Sequence, residues 1–257
     1  MDSRPYAAVE RALAGTRFAR VVYVERTGST NDDAAALLDD DGALGTTIVA
    51  EEQTRGAGRK GRTWLARPGS ALLFTTILPR ELLTEDLWSV PFWTALVVRD
   101  ALANCGVQSE MHWPNDLLLD GKKLAGILCT SRIIGKRARV GCGIGINVHR
   151  GRDADARIAP LPAFCDDATH VERAALLSHI LNLFEMRLAL LDVPEQVARR
   201  WEREAGLPGR RYRLLRDGEA RAFDATAIAL ESGGGLIVER DDGSRETIGL
   251  ADARALR

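Results

Sequence analysis

An α+β fold followed by a small all-β unit is what the sequence predicts, on three observations. Through residue 206, short apolar or glycine-bearing runs of strand character alternate with longer stretches of helical period. After Gly206-Leu207-Pro208-Gly209, the runs Tyr212 to Leu215, Ala225 to Leu230, Leu236 to Val238 and Thr247 to Leu250 are separated by Asp217-Gly218, Gly233-Gly234-Gly235 and Asp242-Gly243, the punctuation of a small β-barrel. At 257 residues the chain is long enough for one large core plus such an appendage, so the expected division is 1–206 and 207–257.

Composition narrows the class. Hydrophobic residues make up 46% and charged residues 28%, while Lys+Arg 35 against Asp+Glu 36 leaves no broad cationic field for nucleic acid. No apolar run approaches the ~20 residues of a membrane span, and the N-terminal MDSRPYAAVE has no apolar signal core. A cytoplasmic protein without a membrane partner is expected. Cys105, Cys129, Cys142 and Cys165 show no C-x-x-C spacing and the histidines no H-E-x-x-H pairing, so no structural metal site is expected. Cys129 and Cys142 fall in apolar runs and read as inert buried thiols.

In chain order, Ser3-Arg4-Pro5 starts a short helix that runs to Ala14 and stops at Gly15, and Val21 to Val24 is a strand. Thr27-Gly28-Ser29-Thr30-Asn31 precedes a helical stretch from Asp32 to Leu38. One of these side chains suffices to cap that helix, and three in a row leave hydroxyls and an amide for a polar ligand. Thr46 to Ala50 and Ala71 to Leu78 are strands, and Pro91 to Asn104 is a helix with Phe92, Ala95, Leu96, Val98 and Leu102 inward. Trp88 and Trp93 read as core residues. Two apolar runs meet at Asp120-Gly121 as a hairpin, with Lys122 and Lys123 just beyond the turn. Lysine there either guards an edge strand or aims an ammonium into a pocket. Gly141, Gly143 and Gly145 weaken the strand Arg139 to Val148, so a ligand or another strand must pack on that backbone. Residues 150–168 read as a loop, Thr169 to Glu172 as a capping box opening a helix to Leu191, and Glu195 to Glu204 as a further helix. Ile180, Leu181, Phe184 and Leu188 form the buried side of the former.

The most informative stretch is Gln53 to Trp64, QTRGAGRKGRTW. Glycines free the backbone to approach an anion, and Arg55, Arg59, Lys60 and Arg62 supply charge. It spells G-x-G-x-x-G, but a dinucleotide-binding unit needs a helix at the third glycine and an acidic residue about 20 positions on. Here Gly61 is followed by Arg62-Thr63-Trp64-Leu65 and then another strand.

Ser29-Thr30-Asn31, this loop ending in Trp64, Trp113-Pro114-Asn115-Asp116, Lys123-Leu124-Ala125-Gly126-Ile127-Leu128 and Gly143 to Val148, in that order, resemble the biotin protein ligases, in the short form lacking an N-terminal DNA-binding domain. The likeness is close over Thr27 to Val148 and looser to the C-terminus. It implies a mixed-sheet catalytic domain with flanking helices and a C-terminal SH3-like barrel. It also implies adenylation of biotin by MgATP and transfer to a lysine of a biotin carboxyl carrier domain of a carboxylase. Biotin is the substrate and ATP and Mg2+ are the cofactors, the Mg2+ held by ATP phosphates rather than by protein ligands. A monomer or weak homodimer is expected. By the resemblance, Lys123, Arg59 and Arg62 are catalytic, Lys123 as an electrostatic stabiliser. Ser29, Thr30, Asn31, Gln53, Lys123, Gly126, Ile127 and Leu128 bind biotin. Gly56, Ala57, Gly58, Arg59, Arg62, Trp64, Asn115, Lys123 and Asn147 bind ATP or adenylate, with the Gly56 and Gly58 N–H groups assisting. Family members commonly carry arginine or lysine where this chain has Ala57, so Arg55 or Lys60 must substitute or the adenylate is held less tightly. The alternatives are a lipoate or octanoate attachment enzyme of the same fold, which lacks the arginine loop, and a biotin-responsive repressor, for which too few residues precede Val21.

Overall fold

In the computed structural model, which describes residues 5–151 and 161–256, the chain forms two sheets and five α-helices. Ser3 and Arg4, expected to start the first helix, lie outside the described residues, as does part of the 150–168 loop. Helix α1 (Ala7–Ala12) leads into β1 (Val21–Thr27), and α2 (Thr30–Leu37) crosses to β2 (Thr47–Gln53), which runs parallel to β1. All other pairings in the first sheet are antiparallel. They involve β3 (Ala71–Ile77), β4 (Leu82–Leu83), β5 (Glu110–His112), β6 (Asp116–Leu119), β7 (Lys122–Ile134) and β8 (Arg137–Asn147). The order is β1-β2-β3-β8-β7-β6-β5, with β4 on β8, a mixed sheet as expected.

Strand parity on β8 explains why this sheet has a helical face and a hollow one. Val140, Cys142, Ile144 and Ile146 are at most 4% exposed and join the main core. That core is covered by α1, by α3 (Ser89–Asn104), whose apolar residues surround it, by α4 (Arg173–Arg187) and by α5 (Pro194–Glu204). The intervening Gly141, Gly143 and Gly145 point to the opposite face, beside α2. Trp93, Trp113, Trp201 and Phe184 are among the largest fully buried side chains; truncating one to alanine costs about 3–5 kcal/mol. Trp88 is partly buried and packs edge-on against Phe92.

Two local expectations are corrected. No capping box opens α4 at Thr169: the Thr169 N–H donates to Cys165 O, and the first helical hydrogen bond runs from Leu176 N–H to Glu172 O. The preceding turn claims Thr169, so the helix starts at Arg173. The helical stretch 173–192 is also long and apolar enough, by length and composition, to cross a membrane, contrary to the sequence expectation. Its Leu176, Leu177, Ile180, Leu181 and Phe184 are instead buried in the core.

The second sheet comprises β9 (Arg211–Arg216), β10 (Phe223–Leu230), β11 (Leu236–Arg240), β12 (Arg245–Ile248) and β13 (Ala253–Leu256), all antiparallel in the order β12-β11-β10-β9-β13. The last strand, beyond the expected Thr247 to Leu250, returns beside the first. Trp113 joins the sheets: its backbone N–H donates to Tyr212 Oη at 3.3 Å and its indole N–H to Gly234 O at 3.3 Å.

Candidate active site

The hollow face of the first sheet is a glycine floor. Gly126 of β7 pairs with Gly145 of β8, and the Trp64 ring lies across both; a Cβ on Gly145 would sit 2.7 Å from that ring and one on Gly126 3.0 Å. Next to it, a Cβ on Gly143 would lie 2.0 Å from Asn31 Oδ1. The glycine-rich strand therefore receives side chains from α2 and from the arginine loop.

Lys123 reaches this face because of a bulge. Leu117 pairs with Ala125 and Leu118 with Lys123, leaving Leu124 extra; Leu124 and Ala125 both enter the core, and the strand changes phase. Lys123 and Gly126, three residues apart, consequently share the hollow face. The ammonium lies 2.7 Å from Asp116 Oδ1 and 5.3 Å from the Trp64 ring centroid. β7 is interior, between β6 and β8, so this lysine is not an edge guard, whereas Lys122 is exposed beside the turn.

At the start of α2, capping and site building coexist. Ser29 Oγ accepts the Asn31 N–H at 3.3 Å and caps the helix. The Thr30 N–H and hydroxyl both donate to Gln53 Oε1, at 2.7 and 3.0 Å. Asn31 Nδ2 donates to Leu128 O at 2.9 Å, and the Thr75 hydroxyl sits 2.8 Å from Thr30 Oγ1 and 2.7 Å from Asn31 Oδ1. Asn115 Nδ2 donates to Ile127 O at 2.7 Å and Asn147 Nδ2 to Lys123 O at 3.2 Å, fixing the strands that carry the floor.

The arginine loop folds back on itself. Trp64 N–H donates to Gly56 O at 2.8 Å, Gly58 N–H to Arg62 O at 2.7 Å, and Ala57 bridges Thr63. The turn passes through Lys60 at φ 57° and Gly61 at φ 70°. The expected pair of phosphate-facing amides is not presented here: the Gly58 N–H is engaged, and Gly56 is buried outside the cavity lining, its Cβ position 2.6 Å from Trp64 O. Arg59 donates to Leu250 O in the turn between β12 and β13; burial first, and then the neighbouring Arg62, hold its pKa below the usual arginine value. Lys60 Nζ pairs with Asp217 at 2.7 Å, and exposed Arg55 lies 3.9 Å from Asp32. Neither cation lines the cavity, so neither stands in for Ala57, which does.

These parts enclose a cavity of about 590 Å³. Every expected site residue except Gly56 lines it. Arg67, Arg150, Phe164 and Leu256 line it too, unforeseen from sequence. Among the described lining residues Arg59, Arg62, Arg67, Lys123 and Arg150 are cationic and none is a carboxylate. Such a cavity suits an anionic ligand with an apolar portion. Cys129 and Cys142 face one another across β7 and β8, outside it; their mutual hydrogen bond and burial push the Cys129 thiol well up, which fits inert thiols.

Comparison with known proteins agrees with this architecture. Residues 23–147 match the biotin/lipoate A/B protein ligase family. A bifunctional ligase/repressor BirA of Bacillus spizizenii is 32% identical over 172 residues, 65% of this chain and 53% of that protein. A biotin–[acetyl-CoA-carboxylase] ligase of Paracoccus denitrificans is 38% identical over 136 residues, 51% of this chain and 55% of that protein. The chain thus spans about half the length of these relatives. The crystallised biotin protein ligase of Aquifex aeolicus in complex with biotin and ATP shares the fold, with a TM-score of 0.73 at 24% identity over 93% of this chain and 99% of that one. Residues 23–147 therefore carry a biotin/lipoate A/B protein ligase family domain, on a fold shared with a biotin protein ligase.

Proposed function

We propose that the protein is an ATP-dependent biotin–protein ligase. Biotin carboxylate oxygen attacks the α-phosphorus of MgATP, pyrophosphate leaves, and the ε-amine of a carrier-domain lysine then attacks the acyl carbon and releases AMP. The observation that carries this reading is the Lys123 ammonium, held 2.7 Å from Asp116 over a glycine floor, in a cavity whose charged lining residues are all cationic. Two anions must meet there, and fixed positive charge in a site closed to water stabilises the pentacovalent phosphate most effectively. Lys123 stabilises that charge, Asp116 positions Lys123, and Arg59 and Arg62 hold phosphates. Ser29, Thr30, Asn31 and Gln53 serve the ureido ring, with Gly126 to Leu128 along the acyl chain. Trp64 covers the ligand, and Asn115 and Asn147 shape the nucleotide side. Magnesium enters with the ATP phosphates. The relatives named as biotin ligases support the choice of biotin over lipoate.

Residues 207–257 form an SH3-like domain that braces the arginine loop, a reading supported by Lys60 with Asp217 and Arg59 with Leu250. The acceptor is the biotin carboxyl carrier domain of a carboxylase, and the enzyme works as a monomer or weak homodimer. Four unpaired cysteines fit a reducing compartment such as the cytoplasm. Biotin-dependent exchange of labelled pyrophosphate into ATP is the test. Exchange with biotin is expected; exchange with lipoate alone, or none, rejects the proposal.

A further inference from the structure

Beside the cavity, where β8 ends, the fold assembles a second cluster that ligand-spacing rules in sequence do not detect. His149, Asp166 and His170 each offer one ligand atom, and these atoms all lie within 4.8 Å of one another. His149 Nδ1 is 3.3 Å and His170 Nδ1 3.7 Å from Asp166 Oδ1, and the two imidazoles stack with centroids 5.3 Å apart. Four ligands at the ordinary zinc distances of ~2.0–2.1 Å are about 3.3 Å from each other, so little movement closes this group around an ion. The cluster is also oriented from outside. The Arg150 N–H donates to Asp166 Oδ2 at 3.0 Å, leaving Oδ1 turned to the histidines. His170 Nε2 lies 2.9 Å from Glu172 Oε1, so the carboxylate fixes the tautomer that leaves Nδ1 free to ligate.

We propose that His149 Nδ1, Asp166 Oδ1 and His170 Nδ1 bind a divalent transition-metal ion of the zinc class, with Glu172 orienting His170 and water completing the shell. Two imidazoles and one carboxylate favour zinc, nickel or copper over magnesium or calcium. The side chains of Asp166 and His170 are 29% and 68% exposed, so an ion reaches them from solvent. A bound ion would clamp the segment leaving β8 to the turn Cys165–Asp167. Arg150 on one side and Phe164 on the other line the main cavity, so the ion would stiffen its rim.

The test uses chelator-treated, reduced full-length protein titrated with Zn2+ by calorimetry and by imidazole proton–nitrogen spectra. One equivalent is expected to bind in the micromolar range or tighter, shifting His149 and His170 while His112 and His179 stay put. His149→Ala with His170→Ala is expected to abolish that binding and to leave the metal-free melting curve unchanged, and Glu172→Gln to weaken it by about tenfold. No binding, shifts at His112, His179 or the cysteines instead, or unaltered affinity in the double variant would overturn the proposal. The spectra on unmutated protein decide the matter even if the double variant fails to fold.

Discussion

The floor and the wall of the cavity are both built on glycine, for opposite reasons. In β8, glycine makes room for something else: Gly143 admits Asn31 and Gly145 admits the Trp64 ring, on a strand whose ladder is paired on both sides. In the arginine loop, glycine lets the chain meet itself: Gly56 accommodates Trp64 O, and Gly61 takes the left-handed turn. The floor is held by neighbouring strands. The wall is held by one isolated bridge and by charged contacts to turns that follow β9 and β12. Under the proposed function, rigid placement of charge falls to the floor and enclosure of the ligand to the wall.

Substitutions can break or sharpen this division. The largest effect is expected on the floor: Lys123→Ala should depress pyrophosphate exchange by roughly 10²–10³-fold, the range for loss of a preorganised electrostatic group, with a much smaller change in binding of biotin alone. Equal losses in both would make Lys123 a mere ligand contact. Gly143→Ala should follow, because its Cβ would lie 2.0 Å from Asn31 Oδ1. Overpacking of about 1–3 kcal/mol should lower the melting temperature by several degrees, whereas Gly58→Ala, whose Cβ would lie 3.3 Å from Arg62 O, should change it little. Similar melting shifts for both would erase the contrast between floor and wall.

On the wall, Asp217→Ala removes the partner of Lys60, an exposed ion pair worth at most about 1 kcal/mol. Global stability should barely move, yet trypsin should cut the loop a few times faster, and biotin plus ATP should slow cutting in both proteins. Identical cleavage with and without ligands would count against enclosure. Ala57→Arg should have the smallest effect, a several-fold slower release of biotinyl-adenylate, since Ala57 lines the cavity without a cation. An unchanged off-rate would reject the idea that a missing cation at Ala57 loosens the adenylate.

The sequence carried much of this because the informative signals are local. Ser29 to Asn31, the glycine pattern and the Asp120-Gly121 turn each announce a conformation within a few residues. The bulge at Leu124 shows the limit of such reading. Parity alone places Lys123 opposite Gly126, and the extra residue that reverses this is set by pairing with β6. Thr75 hides in an apolar strand and becomes a site neighbour only when β3 passes under α2. Phe164 and Leu256 reach the cavity from chain segments far from the motifs, Arg150 reaches it from just beyond the last of them, and β13 is a strand only because β9 is there to pair with it. Gly56 misled for the converse reason: glycine signals close approach, but not to what.

Trp64 gives the cavity an optical readout. Of the five tryptophans, Trp93, Trp113 and Trp201 are at most 1% exposed and Trp88 packs on Phe92, whereas Trp64 lines the ligand space with an ammonium 5.3 Å from its ring. Indole emission responds to nearby charge and to water. Entry of an anionic ligand beside Lys123 alters both at Trp64, so unlabelled protein reports its own occupancy, and the spectrum of Trp64→Phe supplies the baseline to subtract.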